Sequence, residues 1–263
     1  MRTRAITAGA IALLLAALAP AARGGTAAQL PNLVALAPFD VVIAPADAGD
    51  GDAIRFATGA ANRGDHALEL SGQPSGPTEA GAQQCIAWVQ PRVCSERQEV
   101  GKFTWHPEHG HYHFEDFAQY ELRNVRRNGK PDLRKKGLIA TSGKISYCII
   151  DYEEDASDRP LLYSQPYPLY YSCVAGIGIQ GISPGWKDIY VKETTGQQIL
   201  LEDVPDGTYA LIVKIDPADR LLETDEKDNS GLVHLRLLDG GKTLEVLCAQ
   251  EPSTACVPVA EPE

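Results

Sequence analysis

Four of the six histidines in this 263-residue chain fall between positions 106 and 113: His106, His109, His111 and His113. The last three recur at every second position. On an extended strand such residues share one face, spaced about 6.6 Å apart at about 3.3 Å per residue. Three imidazoles on one face can converge on one ion, and an all-nitrogen donor set suits Cu(II) or Zn(II). A solvated polar strand is the plainer explanation. With two histidines in the rest of the chain, His66 and His234, the clustering favours metal binding. Those two read as surface or packing residues. No H-E-x-x-H pattern is present, which argues against a zinc hydrolase on the same histidines.

The elements that must carry this cluster are strands. Thr208 to Ile215 and Leu232 to Leu238 are apolar or alternating, and His234 is expected to face solvent or a neighbouring strand. Lys144 to Ile150 alternates and then turns fully apolar, as a buried strand does. Phe114 to Val125 has apolar residues at mixed spacing and ends near the turn dipeptide Asn128-Gly129. Residues 51–76 read as strands joined by turns, with short apolar runs such as Ile54 to Phe56. No long helical period is found after the N-terminus. The pattern predicts a mainly β fold: an antiparallel β-sandwich with long loops and little helix.

The N-terminus reads as a secretory signal: Arg2 and Arg4, an apolar run from Ala8 to Leu18, and small residues at Ala19 and Ala21. The expected organisation is a signal peptide over 1–21, one domain over 29–256 and a loose tail over 257–263. No apolar run is long enough for a membrane span. Six cysteines (85, 94, 148, 173, 248 and 256) suit disulfides in an exported protein, and six allow fifteen connectivities. Short loops make Cys85 with Cys94 and Cys248 with Cys256 plausible, which leaves Cys148 with Cys173. The net charge is −11, and −13 once Arg2 and Arg4 are removed (22 basic against 35 acidic residues). Such a chain repels nucleic acid and attracts cations.

Trp105-His106-x-x-His109-x-His111-Tyr112-His113 resembles the copper-binding segment of lysyl oxidases. The resemblance continues through Phe117-x-x-Tyr120-x-Leu122, Gly143-Lys144-x-Ser146-Tyr147-Cys148 and Gln180 to Gly185. It runs on through Asp188-Ile189-Tyr190, Asp203 to Tyr209 and Glu223 to Asn229. It implies that His109, His111 and His113 bind Cu(II), with His106 beside the metal. It implies that Lys144 and Tyr190 are the precursors of lysine tyrosylquinone, the cofactor this family makes from its own side chains. The implied activity is oxidation of primary amines, peptidyl lysine among them, by O2 to aldehyde, ammonia and H2O2. A base must remove the α-proton, and Asp188, Glu115 and Asp116 are candidates by sequence proximity. The rival reading is a non-catalytic copper- or zinc-binding β-sandwich.

The resemblance also implies a structural Ca²⁺ site of hard oxygen ligands, formed by Asn32, Leu33 through its carbonyl, Glu223, Asp225, Asp228 and Asn229. Three positions depart from the animal pattern. Pro107, Trp186 and a residue near Gly196 stand where animal members carry further cysteines. Some family disulfides are therefore expected to be absent, and Cys148 with Cys173 to be a rearranged pairing.

Overall fold

Alternation sets the clearest strand: Ser230 to Leu238 buries Val233, Leu235 and Leu237 and turns Arg236 outward. The computed structural model describes residues 28–47, 49, 51–74, 78–90, 93–143, 146–155, 167–173 and 178–250. The proposed signal peptide, Lys144, Cys256 and the tail lie outside the described residues.

In chain order the strands are β1 (Leu33–Ala35), β2 (Phe39–Pro45), β3 (Asp52–Asn62), β4 (Leu68–Pro74), β5 (Glu79–Gln90), β6 (Val93–His106), β7 (His111–Phe114) and β8 (Ala118–Asn124). Then come β9 (Leu138–Thr141), β10 (Glu153–Glu154), β11 (Ile179–Ile182), β12 (Trp186–Tyr190), β13 (Gln198–Leu200), β14 (Gly207–Ile215), β15 (Ser230–Leu238) and β16 (Thr243–Gln250). Among the described residues one 3-10 turn, Lys135–Gly137, is the only helical element. The fold is mainly β, as the sequence pattern predicts.

The strands form three antiparallel sheets. One runs β1-β3-β12-β10, with β2 and β13 also on β3; the second runs β11-β4-β5-β6-β7; the third runs β16-β15-β14-β8-β9. Their inner faces meet in one core that includes Phe56, Leu70, Phe103, Phe114, Tyr120 and Leu211. Burying each such side chain stabilises the fold by about 1.5–3 kcal/mol. The ring of Phe56 meets Tyr120 edge-on at 4.9 Å, joining the first sheet to the third.

Two segments differ from the strand pattern expected. Residues 114–125 are broken at Asp116, whose φ of 57° ends the extended run before β8. Residues 146–150, the described part of the expected strand, make a single bridge, Tyr147 to Phe114, and no ladder. The reason is that side chains take up their backbone groups. Ile149 N–H donates to Gln180 Oε1 at 3.0 Å, and the Cys148 carbonyl accepts from the Tyr190 hydroxyl.

Cys85–Cys94 and Cys148–Cys173 are disulfides. Cys248 is also disulfide-bonded. Its expected partner lies outside the described residues. His234 lies opposite Cys248, with Nδ1 at 3.4 Å from Sγ, so it faces the neighbouring strand. No helix of the described residues is long and apolar enough to cross a membrane.

Candidate metal and cofactor site

The histidine cluster is built on a hairpin. β6 and β7 pair with His106 opposite His111 and Thr104 opposite His113. Paired antiparallel residues point to the same face, so the register itself puts His106 beside His111 and His113. His109 is not on the strand. It sits in the turn between the two strands, held by its N–H on the His106 carbonyl at 3.1 Å. Gly110 makes the turn with φ of 69°, a conformation that favours glycine.

His113 is the buried centre of the group. Its Nε2 lies 3.1 Å from His109 Nδ1 and 3.0 Å from His111 Nε2. One N–H···N hydrogen bond accounts for one of these contacts. Two contacts on the same Nε2 gather three nitrogens around one point. Nitrogens bound to one ion at about 2.0–2.1 Å and about 95–110° lie about 3.0–3.4 Å apart. Both spacings at His113 fall in or at the edge of this range, as for donors to a single Cu(II) or Zn(II). His106 stacks on His113 at 4.1 Å and 22°. One of its ring nitrogens also lies within 4.8 Å of those of His109 and His113. Ser146 Oγ lies 3.3 Å from His106 Nε2 and 3.5 Å from His113 Nδ1, on the far side of the ring from the converging nitrogens. Such an outer partner fixes ring orientation and tautomer.

Segment 146–150 runs from this hairpin to Tyr190. Tyr147 exchanges both backbone hydrogen bonds with Phe114, the residue after His113. Gln180 reinforces the join: its Oε1 accepts from Ile149 N–H and its Nε2 donates to the Tyr112 carbonyl at 2.7 Å. Beyond, the Tyr190 hydroxyl donates to the Cys148 carbonyl, and the Tyr190 ring meets Tyr147 edge-on at 4.3 Å. Burial, and then the charge of Asp188, pushes the Tyr190 phenol well above its ordinary value. Lys144 precedes this segment and lies outside the described residues.

The three candidate bases separate. Glu115 lies 4.0 Å from His106 Nε2. Asp116 pairs with Arg220 at 2.9 Å on the surface. Asp188 is buried at 2 % exposure.

Several residues position this site through contacts that no motif or spacing shows. Asp151 accepts from Leu169 N–H, Tyr170 N–H, Ser183 N–H and Ser183 Oγ at 2.7–3.2 Å. Tyr147 shares a 2.5 Å hydroxyl bond with Tyr120 and donates to Gln197 Oε1 at 3.1 Å. Their partners lie 18 to 50 residues away in sequence, so spacing cannot reveal them. Gly181 was visible as part of a motif. Its reason is spatial: a Cβ there would lie 2.1 Å from the Leu68 carbonyl oxygen.

At the other end of β1, Asn32 Nδ2 donates to Asp228 Oδ2 at 2.8 Å and Leu33 N–H donates to Glu223 Oε2 at 2.5 Å. Asn229 Nδ2 donates to Glu223 Oε1 at 2.9 Å. The structure thus gathers Asn32, Glu223, Asp228 and Asn229, with Leu33 joining through its N–H and not through the carbonyl expected. Asp225 stands apart on an exposed turn, where Oδ1 accepts from Lys227 N–H at 3.0 Å. Asp228 Oδ1 and Asn229 Oδ1 are buried without a hydrogen-bond partner among the described residues. Burial pushes Glu223 up to about 9, against bonds from Leu33 and Asn229 that lower it. Two orphaned oxygens beside a buried carboxyl fit an oxygen-ligated cation.

These features define a mainly β protein whose histidine cluster is fit to hold a metal and is joined through segment 146–150 to a partly buried tyrosine. The family model for lysyl oxidase matches residues 87–246, well over half of the chain, and the chain belongs to the lysyl oxidase family. It is 34 % identical over 139 residues to human lysyl oxidase homolog 3, covering 51 % of this chain and 16 % of that one. It is 34 % identical over 128 residues to chicken (Gallus gallus) lysyl oxidase homolog 2, covering 48 % and 14 %. Against chicken protein-lysine 6-oxidase the identity is 31 % over 128 residues, covering 48 % and 26 %. The matched region thus spans about a quarter or less of the length of these relatives.

Proposed function

We propose that the protein is an exported copper- and quinone-dependent amine oxidase. It converts a primary amine, O2 and water to aldehyde, ammonia and H2O2. His109, His111 and His113 hold copper, and Lys144 and Tyr190 become lysine tyrosylquinone. One observation carries the reading: a single segment, 146–150, touches the histidines through Ser146 and Tyr190 through the Cys148 carbonyl, and Lys144 lies two residues before it.

Held by these histidines, copper would supply, with O2, the oxidising equivalents for converting the Tyr190 ring. The protein's own groups prepare that chemistry. The Cys148 carbonyl holds the phenolic proton of Tyr190 and fixes its ring orientation. Tyr147 packs against one side of the ring, which excludes water. Ser146 keeps the His113 ring turned toward the metal position. The ε-amine of Lys144, once deprotonated, is the nucleophile that joins the ring. The net charge of −11 favours approach of a cationic amine or a lysine-bearing peptide. The orphaned oxygens of Asp228 and Asn229 support a Ca²⁺ that ties β1 to the 223–229 turn.

The test is phenylhydrazine labelling of copper-loaded, aerated, exported protein. A visible adduct on a cross-linked peptide pair containing Lys144 and Tyr190 is expected. Lys144→Arg is expected to keep copper and lose both adduct and activity. Stoichiometric copper with no adduct in the unmutated protein would overturn the reading in favour of a non-catalytic metal-binding protein.

A further inference from the structure

Asp188 and Tyr190 are two residues apart on β12, opposite Ala60 and Thr58 of β3. Their side chains therefore leave the same face of the sheet. That face meets segment 146–150, and the two residues reach it two positions apart. Tyr190 takes the Cys148 carbonyl, while the Ile150 N–H reaches the Asp188 carboxyl. The Ile189 N–H also reaches that carboxyl. Its Oδ2 is buried with no hydrogen-bond partner among the described residues. A buried polar atom left unpaired costs about 1–3 kcal/mol, and such atoms are rare without a purpose. Of the three carboxyls close in sequence to the histidines, Glu108 is exposed and the other two are engaged. Asp116 is held by Arg220 at 2.9 Å on the surface, and Glu115 faces His106 at 4.0 Å.

We propose that Asp188 Oδ2 is the general base that removes the α-proton of the amine substrate, and that making the cofactor does not require it. This inference rests on the amine-oxidase reading above. In the step, with the amine nitrogen already joined to a quinone carbon as C=N and water lost, the C–H bond of the amine-bearing carbon breaks and its electron pair passes through that link into the ring, reducing it by two electrons. The proton forms an O–H bond on Asp188 Oδ2. Water then releases the aldehyde and leaves the nitrogen on the reduced ring; O2 takes two electrons and two protons as H2O2, a second water releases ammonia and restores the quinone, and Asp188 returns to the carboxylate.

The surroundings suit a base of this kind. Burial raises the carboxyl well above the ordinary aspartate range, against the two N–H groups that lower it. A carboxylate in such a site binds a proton far more strongly than one in water, which is what abstraction from carbon needs. The cationic nitrogen of a bound amine supplies the opposite charge that favours the ionised form before the step. The hydroxyls of Tyr120, Tyr147 and Tyr190 are all held protonated by burial. None of them competes as the base.

The experiment compares Asp188→Asn with the unmutated protein, both copper-loaded and aerated. Asn keeps the shape and one oxygen for the N–H groups but cannot take the proton. Phenylhydrazine adduct per copper is expected to be unchanged. Anaerobic bleaching of the quinone by benzylamine is expected to slow by about 10²–10⁴-fold. Asp188→Ala is expected to bleach as slowly and to recover in part with added formate. Bleaching by the Asn variant within about threefold of the unmutated rate, below the range for a lost general base, would overturn the proposal. So would copper-loaded variants that form no adduct, because Asp188 would then serve cofactor formation. Both variants recovered without copper would make it a folding residue and overturn the proposal equally. An unmutated protein with copper and no adduct is a different failure, that of the amine-oxidase reading itself.

Discussion

Asp151→Ala should unfasten segment 146–150 from the sheets. Asp151 is 5 % exposed and its two oxygens accept four hydrogen bonds. Three come from backbone N–H groups that the substitution leaves in place. Each buried donor left without its acceptor costs about 1–3 kcal/mol, so four cost about 4–8 kcal/mol once partial rehydration is allowed. That rivals a whole domain stability of about 5–15 kcal/mol. The bonds bind residues 169–170 and 183 to Asp151, one residue beyond Ile150 in the segment that meets Tyr190. Urea unfolding of the metal-free protein, followed by tryptophan fluorescence, measures the loss. With a slope of about 2–3 kcal/mol/M, the midpoint should fall by about 2 M. Asp151→Asn keeps one acceptor oxygen and should lose roughly half as much by the same donor count. A loss under about 1 kcal/mol for the alanine variant, less than one unsatisfied donor, would refute the reasoning. The remaining backbone bonds of the segment, Asp151 N–H to Tyr170 and Tyr152 N–H to Lys187, would then be what holds it.

Other outcomes follow from the same geometry. His113→Ala removes the nitrogen that both His109 and His111 approach; copper affinity in a chelator competition should fall beyond the roughly 10–100-fold typical of losing an outer partner. Ca²⁺ at about a hundred times its dissociation constant should stabilise the protein by about 2.7 kcal/mol in thermal melts. Asp228→Asn should remove most of that gain, and equal gains in both proteins would exclude the site. Burial raises Glu121, but bonds from Arg123 and Lys214 outweigh it and leave its carboxyl below the ordinary glutamate value of 4.5. Its contribution is therefore present above that value and is lost as pH falls through the folded-state value. Glu121→Gln should flatten the acid side of the stability curve, and an unchanged acid slope would show that the pair contributes nothing.

The strands were legible where side-chain alternation or apolar runs carried them. Residues 208–215 and 232–238 lie in β14 and β15, because burial of one or both faces leaves its mark directly on residue type. The long hairpin of β5 and β6 left no such mark: its partly exposed outer strand, Val93–His106, is largely polar. Spacing alone placed His111 and His113 on one face, since alternation along a strand is local geometry. His109 reaches them through a turn, and His106 through the register of β6 on β7, and neither follows from a count of residues. The candidate metal donors, Tyr190 and Asp188 were nameable from local sequence and resemblance, as residue types in a row. Their common meeting line was not. It depends on Gln180, Asp151 and the Cys148 carbonyl, whose contacts span 18 to 68 residues. Hydrogen bonds between distant segments exist only once the chain has folded, and tertiary structure alone decides which of them close.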